Sequence, residues 1–160
     1  MQYCTLSSPV GELLLAGDDS GLHMLGFQGG THPIRLQRHW QEDPRPFRKA
    51  LAQLRDYFAG RRREFDLPLV PSGTEFQLKV WSALRTIPYG KTWSYAELAQ
   101  RIRKPKAARA VGAANGQNPI PIIVPCHRVI GADGSLTGFG GGLKIKRILL
   151  ELESNEGSLF

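Results

Sequence analysis

The stretch Val124-Pro125-Cys126-His127-Arg128-Val129 puts a thiol, an imidazole and a guanidinium on three consecutive residues. A thiol attacks as its thiolate, and at an ordinary pKa of about 8.5 only a few per cent is ionised at neutral pH. A nucleophilic Cys126 therefore needs a base. His127 is adjacent, but neighbouring side chains in extended backbone point to opposite faces. Direct contact needs a turn, so His127 is expected to act through one water. Arg128 could lend its charge, but an ion pair bracing two domains is the preferred reading.

Cys126 must be delivered by a folded scaffold, and 160 residues suffice for a hydrophobic core. The 41% apolar and 22% charged content is that of a globular chain. No apolar run approaches the roughly 20 residues of a membrane span, and Met1-Gln2-Tyr3-Cys4-Thr5 lacks a signal-peptide pattern. A cytoplasmic protein is expected, with no membrane partner. In a reducing compartment Cys4 and Cys126 should stay unbridged. The net charge of +7 splits into +1 over residues 1–84 and +6 over 85–160. The excess cations lie in the half that holds Cys126, which suggests a polyanionic partner such as nucleic acid or, more simply, a solubilising surface.

Residues 1–27 read as three short strands, Tyr3 to Leu6, Glu12 to Ala16 and Leu22 to Phe27, in an antiparallel meander. His23 and His32 fall in this half and read as structural, since no four-ligand metal cluster accompanies them. A short helix is predicted through Ile34 to Trp40. A clearer one carries Phe47, Ala50, Leu51, Leu54, Tyr57 and Phe58 at helical spacing, stopped by Gly60. Arg61-Arg62-Arg63 reads as a solvated helix end. Glu64 to Leu69 could form another strand, and a boundary falls near Gly73.

Thr74 and Gln77 form a capping box ahead of a helix buried through Phe76, Val80, Trp81, Leu84 and Ile87. Ser94 and Glu97 form a second box. The next helix, Ala107 to Ala114, is poor in bulky side chains, so the pair has the outline of a helix-turn-helix. Lys106 and Arg109 sit near its N-terminus, where the helix dipole disfavours cations; phosphates would neutralise them. Asn115 to Pro119 reads as a turn. Gly138-Phe139-Gly140-Gly141-Gly142 lacks a strand–loop–helix phosphate motif, so no nucleotide cofactor is expected. The last helix buries Ile145, Ile148, Leu149 and Leu152, and Ser154 to Phe160 is a tail.

Taken together, Asn118-Pro119, Pro125-Cys126-His127-Arg128-Val129, Ser94-Tyr95, Ala107-Ala108-Arg109-Ala110-Val111-Gly112, the glycine loop and Leu149-Leu150 followed by Glu153 resemble the O6-alkylguanine-DNA alkyltransferase family. The resemblance is dense from Thr74 to Glu153 and weaker before it. It implies an α+β fold. An N-terminal domain (1–73, linker included) would hold an antiparallel β-sheet plus helix. An all-α C-terminal domain (74–160) would hold the helix-turn-helix and the active-site cysteine loop.

It also implies a reaction, a single irreversible transfer of an alkyl group from O6 of guanine, and less well from O4 of thymine, to Cys126. Under the resemblance His127 is the base, Glu153 its orienting carboxylate and Asn118 a member of the active-site network. Tyr95 assists base rotation and donates to the purine, and Arg109 enters the stack as the base leaves. Lys106, Ala107, Ala110 and Gly112 are expected against DNA; Val129, Phe139 and Gly140 are expected in the substrate pocket. The partner implied is duplex DNA containing O6-alkylguanine, bound by a monomer with scope for cooperative assembly. No cofactor and no metal is expected, because Asp18 stands where one cysteine ligand of zinc-binding relatives would fall.

Phe139 replaces a tyrosine common among relatives, and Gly140 a serine found in some. Two rivals remain open on sequence. One is a lesion-binding module without transfer, which Cys126 opposes. The other is a Cys-His-Glu hydrolase, which would turn over repeatedly.

Overall fold

The computed structural model describes residues 1–139 and 141–154. Three strands, β1 (Gln2–Ser8), β2 (Gly11–Asp18) and β3 (Gly21–Phe27), form the expected antiparallel meander. A two-residue strand, β4 (Gln41–Glu42), adds to the free edge of β1 in parallel, giving the order β3-β2-β1-β4. Helix α1 (Arg48–Phe58) follows a 3-10 turn and buries Ala50, Leu51, Leu54, Tyr57 and Phe58. With Phe47, these are the residues of the predicted stripe.

Two expectations in this half give way to side-chain clamps. Ile34 to Trp40 forms no helix. The N–H and C=O of Ile34 are instead taken by the side chain of Gln28, at 3.0 and 3.1 Å. Likewise 64–69 is not a ladder strand. Gln53 on α1 holds Asp66 by its N–H (2.9 Å) and C=O (3.1 Å), and a single bridge joins Leu22 to Leu69. Pro68 cannot donate to a ladder, and the segment stays extended against α1.

In the second half α2 (Glu75–Leu84) and α3 (Tyr95–Arg101) start at the two capping boxes read from the sequence, with both reciprocal bonds present in each. Helix α4 (Ala108–Gly116) runs two residues past its expected end, taking in Asn115 and Gly116. Trp81 of α2 donates its indole N–H to the Ala114 carbonyl at 2.8 Å, which fixes α4 against α2. Helix α5 (Leu143–Glu153) closes the fold. The half is helical as expected, with one addition: β5 (Trp93–Ser94) and β6 (Val129–Ile130) pair in parallel. That pair joins the residues just before α3 to those that follow the Cys126–Arg128 turn.

The halves share one core, from Leu13 and Leu15 of β2 through Leu54 and Leu84 to Leu149. Leu25 of β3 also donates its N–H to the Pro119 carbonyl at 2.9 Å. No helix among the described residues is long and apolar enough to cross a membrane.

Candidate active site

Pro125 ends the apolar run, and Cys126–Arg128 coil into one 3-10 turn. The turn brings the His127 and Arg128 side chains to one carboxylate, while Cys126 lines a cavity. Cys126 is 4% exposed and His127 wholly buried. His127 Nε2 lies 2.7 Å from Glu153 Oε2. The same carboxylate receives Arg128 Nε on Oε1 at 2.7 Å, Arg128 Nη2 on Oε2 at 3.1 Å and the Tyr57 hydroxyl on Oε2 at 2.6 Å. Arg128 Nη1 donates to the Ile87 carbonyl at 2.7 Å. Arg128 is thus a structural brace, as preferred, but its partners lie within the second half. Of the bonds to this carboxylate, that from Tyr57 crosses between the halves.

These contacts settle the protonation pattern. Burial alone would raise the Glu153 pKa, but His127 and Arg128 outweigh it and hold the carboxyl at about 2. Burial pushes His127 below the usual imidazole value, and Glu153 only partly offsets this. A neutral ring facing a carboxylate carries its proton on Nε2. Nδ1 is left with a lone pair, and it has no hydrogen-bond partner among the described residues. This is the state a general base needs.

Cys126 is pushed up to about 11 by burial, while Asn118 and the charge of Lys146 pull the other way. Asn118 also donates to the Val124 carbonyl at 2.8 Å and accepts from Ile120 N–H at 3.0 Å. It thereby holds a loop in which Ile122, a β-branched residue, sits at φ 73°. Such a conformation costs about 1–3 kcal/mol and persists only where its surroundings enforce it. Asn115, at the end of α4, approaches the Cys126 carbonyl at 3.4 Å. The end of α4 and the cysteine turn are therefore one connected unit.

Lys146 is a functional candidate that the sequence reading passed over. It is wholly buried, and its ammonium donates to the carbonyls of Val129 and, at 2.8 Å, Thr137. Burial brings it down to about 8, partly offset by Cys126. One signal was available. Lys146, Leu149 and Glu153 fall on one helical face, so a cation lay within the apolar stripe that also carries the carboxylate.

Cys126 lines a cavity of about 550 Å³ together with Asn115, Asn118 and Phe139. Met24, Phe27 and Ile34 from the first half line the same cavity. An outer cleft is lined by Tyr95, Ala108, Arg109, Gly112 and Thr137. His32, Gly116 and Phe139 line both spaces, so the cleft beside α4 adjoins the cavity at the thiol. The Tyr95 hydroxyl lies 2.9 Å from Thr137 Oγ1, at the cleft.

The site residues read from the sequence are mostly brought together. Cys126, His127, Glu153 and Asn118 converge, and Phe139 lines the cavity. Tyr95, Arg109 and Gly112 line the cleft. Lys106 and Ala110 are exposed beside it, and Ala107 is the half-buried N-cap of α4. Val129 is not a lining residue of either space: it is wholly buried in β6. The alternation of β6 turns its side chain into the core. Gly140 lies outside the described residues. His32, read as structural, stands at the neck. Among the described residues no group of three or more His, Cys, Asp or Glu could hold a metal. Asp18 is engaged by Ser20 and by His23, the latter at 3.0 Å.

A buried thiol with an oriented neutral imidazole, next to a cleft lined by a small-residue helix, defines a cysteine-acceptor protein built around a helix-turn-helix. Residues 75–155 match the family profile described as 6-O-methylguanine DNA methyltransferase, DNA binding domain, and residues 1–71 match its ribonuclease-like domain. The chain belongs to the 6-O-methylguanine DNA methyltransferase family. It is 54% identical over 155 residues to a methylated-DNA--protein-cysteine methyltransferase of Methanosarcina acetivorans, covering 97% of this chain and 99% of that protein. It is 56% identical over 156 residues to the protein of that name from Mycobacterium tuberculosis, covering 97% and 93%. The solved structure of Mycobacterium tuberculosis OGT in complex with DNA superposes with a TM-score of 0.89 at 56% identity, covering 96% of this chain and 92% of that one.

Proposed function

We propose that this chain repairs DNA by direct reversal, moving a methyl or larger alkyl group from O6 of guanine, and from O4 of thymine, onto Cys126. The observation that carries this reading is the buried thiol in a cavity that adjoins the cleft beside α4, with His127 held by Glu153 as a neutral base.

The chemistry is a displacement at saturated carbon. His127 Nδ1 accepts the thiol proton through one water, and the sulfur forms a bond to the alkyl carbon. The carbon–oxygen bond breaks, its electron pair stays with guanine, and a phenol donor such as Tyr95 stabilises the departing anion. The product thioether has no route back to a thiol, so each molecule acts once.

The reacting atom lies inside a duplex, and extruding the base costs a few kcal/mol. The exposed Arg109, on a face it shares with Ala110 and Ala113, would fill the gap in the stack. Lys106, Ala107 and Gly112 would lie against the same duplex. The chain works as a monomer in the cytoplasm and can assemble cooperatively on DNA. A titration tests the reading. Duplex DNA carrying O6-methylguanine should lose its methyl group in proportion to protein added and stop at one equivalent. Continued turnover would establish a hydrolase instead.

A further inference from the structure

Among the described residues, two buried side-chain atoms have no hydrogen-bond partner, Asn115 Oδ1 and His127 Nδ1. Both belong to neighbours of Cys126. His127 follows it in the chain, and the Asn115 amide nitrogen approaches the Cys126 carbonyl at 3.4 Å. A carbonyl only accepts, so this contact orients the amide: Nδ2 faces the Cys126 carbonyl and Oδ1 turns away from it. The imidazole is fixed in the same sense. Nε2 carries its proton toward Glu153 at 2.7 Å, so Nδ1 holds a lone pair. The two atoms are therefore both acceptors, and neither can satisfy the other.

A buried polar atom left without a partner costs about 1–3 kcal/mol, and two such acceptors beside one residue point to a common donor. The protein donors that act on the thiol are already engaged. Asn118 is turned to the Val124 carbonyl, and Lys146 to those of Val129 and Thr137. A water molecule has one hydrogen for each acceptor, and its oxygen is left to accept from the Cys126 thiol. Three hydrogen bonds are about the usual complement of a buried water. Asn115 is 2% exposed and its Oδ1 is closed to solvent, so an enclosed water suits it better than an incoming base.

We propose that Asn115 is a positioning residue for the proton transfer: its Oδ1 and His127 Nδ1 together hold one water, which passes the Cys126 proton to the imidazole. This rests on the alkyl-transfer reading above and adds to it the group that aims the relay. The water accepts the S–H proton and gives one of its own to Nδ1, while its other hydrogen stays on Asn115 Oδ1. The sulfur keeps the electron pair that attacks carbon. Asn115 lies near the end of α4, whose first turn carries Arg109 at the cleft, so one helix reaches both the cleft and the proton path.

Two measurements on the intact chain test it. In a crystal structure of the native protein, one water is expected within about 3.2 Å of both Asn115 Oδ1 and His127 Nδ1. A water on Nδ1 that does not reach Oδ1, or none at either atom, overturns the proposal. Single-turnover methyl transfer from duplex O6-methylguanine is then followed against pH. Asn115→Leu, similar in size and without an acceptor, is expected to slow transfer about tenfold near pH 7, with the deficit shrinking toward about pH 10 as the thiol ionises without the relay. No deficit, or one equal at every pH as a structural loss would give, overturns the proposal. Should the variant not fold, the native crystal structure decides. Absence of methyl transfer by the native chain would refute the repair reading itself, a result distinct from a misplaced water.

Discussion

Tyr57 of α1 donates a 2.6 Å hydrogen bond to Glu153, the last residue of α5, across 96 positions of sequence. One carboxylate thus anchors the imidazole of the site and joins the two halves of the chain. A phenol bound to a buried carboxylate loses its ordinary acidity: burial, then the Glu153 charge, raise Tyr57 well above its usual value.

Tyr57→Phe removes this donor and leaves the ring packing in place. A hydrogen bond to a charged group contributes about 1.5–3 kcal/mol, and the variant should lose stability by that amount in urea unfolding. A loss below about 0.5 kcal/mol would place the bond among those that contribute little.

The pH dependence has a definite sign. His127 is held below its usual value, so the base stays neutral through the ordinary imidazole range. Transfer rates measured between about pH 5 and pH 8 should stay level down through 6.5 and fall only below it. An acid limb centred above 6.5 would contradict a buried neutral base. Stability follows Glu153, whose pKa drops from 4.5 to about 2 on folding. Its contribution is present above 4.5 and is lost as pH falls toward 2.

Lys146→Met keeps an unbranched apolar side chain of similar length and removes the buried ammonium. The negative charge that develops on the sulfur as His127 takes its proton then loses a cation that favours it, and transfer at neutral pH should slow by about tenfold. Lys146→Arg should restore part of the rate. The readout is the pH profile of Cys126 alkylation, which a purely structural loss would leave unmoved.

The parts of this architecture that were legible in the sequence are local. Thr74–Gln77 and Ser94–Glu97 announced two helix starts because a capping box is complete within four residues. The stripe from Phe47 to Phe58 announced α1 by spacing alone. Cys126 and His127 were legible as neighbours, and Glu153 through the family pattern. What escaped was long-range or made by side chains in place of backbone ladders. Gln28 and Gln53 hold segments that propensity would make helix or strand. Tyr57 read only as a core aromatic, Lys146 was passed over, and Val129 read as a pocket residue until β6 turned it inward.

The most direct measurement is the intact mass of the protein after incubation with excess duplex DNA containing O6-methylguanine, followed by peptide mapping. One added methyl group is expected, on Cys126, with the equally unbridged Cys4 unmodified and Cys126→Ser gaining nothing. No added mass, or a methyl group carried on any other residue, would contradict the assignment of Cys126 as the acceptor.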